Sequence, residues 1–220
     1  MAEIVGWFSL KGGAHIPIMK GQSRAEAAKK YYASKHGKTV AKLSSKKYTN
    51  KSDSNDTSFT SKMKKEDIAK KYNINQWEQS TINDYTGVNY SNINSQLREN
   101  FGDISKCSID VKNNCEGLDS AISKLPKYEG SVCRKEPDSI IAKYIEGRTY
   151  TNYGYTSTTA WSDVGGNSKL IIKQSSGANI SKFSRNPGEN EVLLPRGFKY
   201  KITKIEKNES GYMNIYAEEV

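Results

Sequence analysis

Apolar residues recur along this chain in two rhythms. Over residues 64–128 the rhythm is helical: Ile68 and Tyr72, then Trp77 and Ile82, fall four and five residues apart, and Leu118, Ile122 and Leu125 form a stripe that Pro126 stops. Ser91 stands where it would cap a helix running through Ile93, Leu97 and Glu99. Beyond Gly130 the rhythm shortens. Residues 131–134, 149–159, 169–173, 192–194 and 198–205 are short β-type runs, punctuated by Gly165-Gly166, Gly177, Pro187-Gly188 and Gly197. Residues 212–216 alternate and are expected to pair back on the 199–205 strand. Helices first and antiparallel strands second predict an α+β domain.

The first third reads differently. Two apolar segments, 4–10 and 15–19, flank Lys11-Gly12-Gly13-Ala14, the pattern of a hairpin with a glycine turn. Ser23-Arg24-Ala25-Glu26 has capping-box spacing and opens a short helix that Gly37 can close. Residues 44–63 are rich in Ser, Lys, Asn, Asp and Thr and read as a linker, because so few apolar side chains cannot offset chain entropy. The expected organisation is therefore a head (1–43), a linker (44–63) and a main domain (64–220).

Charge sharpens that division. Of 34 Lys and Arg and 24 Asp and Glu, residues 1–73 hold 16 and 6, so the whole formal charge of +10 belongs to the first third. A basic head could attract an acidic partner, a carrier, nucleic acid or a membrane surface, or simply be a solvated tether. The longest apolar runs, such as Leu170-Ile171-Ile172, are three residues, against roughly 20 needed to span a bilayer. The first residues lack the basic-then-apolar profile of a signal peptide, so delivery by another route is expected. Cys107, Cys115 and Cys133 form no C-x-x-C pair, and His15 and His36 lie far from any acidic cluster. A disulfide framework, a metal site and a Ser-His-Asp triad are not expected. Carboxylates, hydroxyls and arginines must carry the chemistry.

Three segments do so in order: Arg134 on a strand, Ser157-Thr158-Thr159 ending one, and Glu189-Asn190-Glu191 opening one. Two acids at i and i+2 of an extended segment face the same side. Glu191 leads into Val192-Leu193-Leu194 and should be held rigidly, whereas Glu189 follows Pro187-Gly188 on an adjustable turn. One fixed and one adjustable acid suit displacement at a sugar carbon, the first stabilising an oxocarbenium-like transition state and the second placing the nucleophile. Arg134 offers a fork for phosphate or carboxylate, and Ser157 could hold the fixed acid by a hydrogen bond. Each segment alone would pass for ordinary surface or strand sequence.

Taken together, the order Arg, Ser-Thr-Thr, Glu-x-Glu resembles the bacterial mono-ADP-ribosyltransferase toxins, including the clostridial exoenzymes and the enzymatic components of binary toxins. The resemblance covers residues 64–220 and includes Gly130–Arg134 in sequence, Gly154 to Thr159, and Ile180 through Gly197, with Tyr85-Thr86-Gly87, Ile93-Asn94 and Leu97-Arg98 similar to the family's N-terminal helices. It implies N-terminal helices followed by two packed, mainly antiparallel sheets that enclose an NAD cleft, with NAD as substrate and no metal. Carried over by position, Arg134 would grip the NAD phosphates, Ser157 orient the catalytic acid and Thr158 support its strand. Glu191 would bond the nicotinamide ribose. Glu189 would orient the acceptor and accept its proton, with Lys182 to Glu189 as the target-recognition turn and Phe183 within it. Lys169 stands near a second NAD-binding arginine of some relatives, and Thr159 replaces a Ser. Tyr155, Trp161 and Phe183 could stack on NAD, grip the target or pack in the core. An acid at position 189 points to arginine as acceptor, because a carboxylate pairs a guanidinium bidentately. The resemblance further implies an NAD glycohydrolase side reaction and delivery into a target cell. It leaves actin and a small GTPase open as targets, and a non-arginine acceptor or a silent module docking through the head as alternatives.

Overall fold

The computed structural model describes residues 4–9, 15–19, 21, 63–160 and 167–220. The helix expected between Ser23 and Gly37, all but Met63 of the linker, Trp161 and Gly165-Gly166 lie outside these residues. The chain divides into two compact units, Met1–Ser54 and Asn55–Val220. In the first, β1 (Ile4–Ser9) and β2 (His15–Met19) pair antiparallel with Trp7 opposite Pro17, as a hairpin requires.

The second unit opens with helices α1 (Lys65–Lys71) and α2 (Gln76–Asp84). Asn75 caps α2 by a reciprocal box: Glu78 N–H donates to Asn75 Oδ1 and Asn75 N–H to Glu78 Oε2, both at 2.9 Å. Lys124 Nζ and Ser120 Oγ from a later helix also reach the same buried carboxylate. Glu78→Ala removes cap and ion pair together, so it should cost about 2–3 kcal/mol. That corresponds to a fall in Tm of roughly 4–12 °C, readable by calorimetry.

A π-helical turn (Tyr85–Asn89) carries α2 directly into α3 (Tyr90–Glu99). Ser91 therefore caps nothing: the helical chain arrives without a free N-terminus, and its backbone donors already have partners. After a 3-10 turn (Ile104–Lys106), α4 (Ile109–Lys124) starts at a Ser108 cap and ends before Pro126. Ile82, Tyr85, Ile93, Leu97, Leu118 and Ile122 are buried together in the helical core.

The strands are β3 (Gly130–Lys135), β4 (Thr149–Asn152), β5 (Thr156–Thr159), β6 (Lys169–Gln174), β7 (Ala178–Asn179), β8 (Glu191–Leu194), β9 (Phe198–Lys207) and β10 (Met213–Glu219), with a short helix α5 (Asp138–Ile141) after β3. The run expected over 149–159 is two strands. Asn152 breaks it, its side chain accepting from Gly154 N–H and donating to the Thr156 hydroxyl, which folds the chain into a turn. The alternating C-terminal strand β10 pairs antiparallel with β9 as expected, and its other edge pairs parallel with β6.

The order β4-β9-β10-β6-β3-β5-β8-β7 makes one hydrogen-bonded array of eight strands. Its two halves correspond to the two expected sheets and meet at a single residue pair, Cys133 opposite Thr159. Strand β8 lies between two cores. Leu193 packs with the helices, while Val192 and Leu194 join Val132, Leu170, Ile172, Phe198 and Ile202 of the larger half. All four residues of β8 are buried, which fixes Glu191 at its first position.

Candidate active site

Glu191 is only 4% exposed. Its partner strand β5 runs antiparallel with Ser157 opposite Leu193 and Thr159 opposite Glu191, so the Ser157 side chain stands beside the Glu191 carboxylate. Ser157 Oγ donates to Glu191 Oε1. Ser184 Oγ donates to Oε2 at 3.0 Å. Burial pushes the Glu191 carboxyl above its ordinary value, the two serine hydroxyls pull it back, and the neighbouring Glu189 charge adds to the upward shift. Such an acid is anchored at both oxygens and keeps its remaining lone pairs for a ligand.

Thr158 points the other way along β5 and donates to the Val192 carbonyl at 2.6 Å, tying the two strands together. Thr159 Oγ1 donates to the Glu189 carbonyl at 2.8 Å. Glu189 does not share an extended segment with Glu191. It ends a 3-10 turn (Pro187–Glu189), and Asn190 between them is left-handed at φ 49°. The two acids nevertheless line the same cavity, because the left-handed residue turns the chain from the loop into β8.

That cavity has a volume of about 590 Å³, within the ~300–1,000 Å³ usual for small-ligand sites. Arg134, Ser157, Glu189 and Glu191 line one side. Arg134 Nη1 donates to the Ser157 carbonyl at 3.2 Å, and its Nε lies 2.8 Å from Glu136 Oε1. The guanidinium is thus oriented by two fixed acceptors. The helices supply the opposite wall, with Tyr85, Thr86 and Gly87 from the π-helical turn and Ser91, Asn94, Ser95 and Arg98 from α3.

Asn94 fixes that wall to the sheet. Its Oδ1 accepts from Tyr155 N–H at 2.9 Å and its Nδ2 donates to the Tyr85 hydroxyl at 3.1 Å. The approach needs Gly154, where an added Cβ would lie 2.5 Å from Asn94 Oδ1. Tyr155 is both core and cavity wall. Its ring meets Tyr85 edge-on at 5.7 Å, and its hydroxyl donates to Asp119, which Arg196 grips through Nε and Nη2.

Two residues expected at the site lie away from it. Phe183 is 1% exposed and packed in the helical core, because the turn after Ile180 rotates it inward. Lys169 opens β6 between Lys135 and Asn214 and does not line the cavity. Sequence reasoning passed over Arg98, Asn94 and Ser184. A signal existed for the first two: Ser91, Asn94, Ser95 and Arg98 form a polar stripe beside the apolar pair Ile93 and Leu97, although such a stripe also describes a solvated helix face. Glu136 gave none, since its contact with Arg134 follows from the strand's geometry. Among the described residues no group of His, Cys, Asp and Glu is arranged to hold a metal ion.

Comparison with known proteins places the chain. The sequence matches the family described as ADP-ribosyltransferase exoenzyme over residues 57–133 and 129–219. It is 32% identical over 126 residues to a Mycobacterium avium (strain 104) protein named "Putative NAD(+)--arginine ADP-ribosyltransferase Mav", the match covering 54% of this chain and 15% of that protein. It is 28% identical to mono-ADP-ribosyltransferase C3 of Clostridium botulinum C phage, covering 62% of this chain and 68% of the relative. The fold is similar to the crystal structure of the Clostridium limosum C3 exoenzyme, with a TM-score of 0.62 at 22% identity over 70% of this chain and 90% of that one. The chain thus spans a small part of Mav's length and about two thirds of the phage protein's.

Proposed function

The chain belongs to the ADP-ribosyltransferase exoenzyme family, and from that premise we propose that it transfers a single ADP-ribose from NAD to an arginine side chain of a target protein. The observation that carries this reading is the double anchoring of Glu191 by Ser157 and Ser184 beside Arg134 in one cavity.

Arg134 and Arg98, from the two walls, face the NAD pyrophosphate and neutralise it. Glu191 accepts a hydrogen bond from the nicotinamide ribose and stabilises the positive charge that develops there. The bond between ribose C1′ and the nicotinamide ring nitrogen breaks, its electron pair leaving with nicotinamide. A guanidinium nitrogen of the acceptor bonds to C1′, and the proton it sheds passes to Glu189. When water occupies the acceptor position, the same steps give ADP-ribose, a slow NAD glycohydrolase reaction. Thr158 acts on this chemistry only through its strand. An acid rather than an amide at position 189, and the name carried by the Mycobacterium relative, support arginine.

The test is to incubate the protein with labelled NAD and either a cell lysate or agmatine, a small guanidino acceptor. The expected result is label on one or few proteins, an ADP-ribosyl–agmatine adduct and released nicotinamide. Absence of both adduct and nicotinamide would end this reading, whereas label resistant to arginine-directed cleavage chemistry would move the acceptor elsewhere.

A further inference from the structure

The turn that carries Glu189 is bound to the helical wall across a long sequence gap. Arg185 N–H donates to Thr86 Oγ1 at 2.9 Å, a contact between residues 99 apart. The Arg185 guanidinium lies against the neighbouring Gly87, whose missing Cβ would sit 2.8 Å from Cζ and 2.9 Å from Nη1. Thr86 can receive that N–H because its hydroxyl proton is already committed to the Ile82 carbonyl at 2.9 Å, which aims a lone pair outward. The π-helical turn presents both residues at the cavity rim.

Residues 185–189 are all exposed, so they have little packing to hold them. Their other ties are local: Glu189 N–H donates to the Asn186 carbonyl at 3.1 Å within the turn, and at its ends Asn186 N–H donates to Ser184 Oγ at 3.2 Å and Thr159 Oγ1 holds the Glu189 carbonyl. Glu191, by contrast, keeps its own two serine donors and does not depend on Thr86.

We propose that Thr86 and Gly87 are positioning residues for the acceptor side of the site: they latch the 185–189 turn to the helical wall, and the latch sets how NAD is divided between a guanidinium and water. This rests on the transferase reading above. With the latch formed, Glu189 is held where the acceptor must dock. With it broken, Glu189 samples other positions while the ribose-facing acid stays in place. Gly87 is required because any side chain there would lift the Arg185 guanidinium off the rim, a movement its flexible end permits at little cost to stability.

The experiment compares wild type with Thr86→Val, Thr86→Ser and Gly87→Ala in two readouts. Amide hydrogen exchange at Arg185 reads the latch directly, and the ratio of ADP-ribosyl–agmatine to free ADP-ribose reads the partition. Thr86→Val is expected to speed Arg185 exchange roughly tenfold and lower the ratio about fivefold to tenfold. Thr86→Ser, which keeps the acceptor oxygen, should restore both, and Gly87→Ala should lower the ratio. Unchanged Arg185 exchange in Thr86→Val would dismiss the latch, and faster exchange with an unchanged ratio would dismiss its role in partition. Wild-type protein that releases no nicotinamide brings down the transferase reading, and this inference with it, whatever the exchange shows.

Discussion

Glu191→Gln is expected to lower both transfer and NAD hydrolysis by about 10²–10³-fold or more, while making the protein more stable at neutral pH. The first effect follows from losing the negative charge opposite the developing cation. The second follows from burial. In the folded protein the carboxyl's pKa lies above its ordinary value, mainly through desolvation. Between the ordinary and the raised value the folded state holds more protons than the unfolded state, so stability falls as pH rises through that window and stays lowered above it. Gln removes the buried charge and keeps the hydrogen bonds: its oxygen accepts from Ser157, and Ser184 can rotate to accept from the new amide. A rise in Tm is therefore expected at pH 7–8. The gain should shrink as pH falls from the raised value toward the ordinary carboxylate value, and be lost below it. Calorimetry and nicotinamide release on the same samples check the pair, and a variant that is destabilised at neutral pH would contradict the account of burial.

Glu189→Gln should separate the two reactions. Transfer to agmatine is expected to fall about 10²-fold or more, because the acceptor loses both its charged partner and the base that takes its proton, while hydrolysis stays within about threefold. Equal losses would refute the division of roles between the two acids. The same variant carries a pH signature. The Glu189 charge contributes to raising Glu191, so the acid limb of the hydrolysis rate, set by loss of the Glu191 anion, should move to lower pH in Glu189→Gln. A limb that stays in place, or moves upward, would show that the acids do not sense each other.

The chemistry-bearing strands were legible in the sequence because a short strand leaves few conformational choices. Ser157 is the second residue of one four-residue strand and Glu191 the first of another, and their other positions are apolar or hydroxylic, so period-two alternation fixes which side chains meet. The antiparallel partner of β10 was equally legible, since only a short turn separates it from β9. Its parallel partner β6 was not, because that pairing depends on a crossover that local sequence does not encode. The turn before Glu191 is less legible. Strand periodicity does not show that the residues before Glu191 are 3-10 and left-handed, and of the roles open to Phe183 in the recognition turn the structure takes core packing. Arg98 and Asn94 show no role in the sequence, because a cavity-facing polar stripe and a solvent-facing one look alike until the opposite wall exists. The contact between Thr86 and Arg185 lies beyond any local signal.

The lone pair Cys133–Thr159 has a bearing on affinity. Arg134 follows Cys133 on one bank of that seam, and Glu191 faces Thr159 on the other. On the proposed reading, a dinucleotide gripped by both groups would bridge this single-pair seam, and part of its binding energy would go into sewing the banks together. Substrate and scaffold would in that sense be mutual supports: the occupied molecule is expected to be mechanically tighter than the empty one, and a variant that loosens the seam is expected to capture NAD less well.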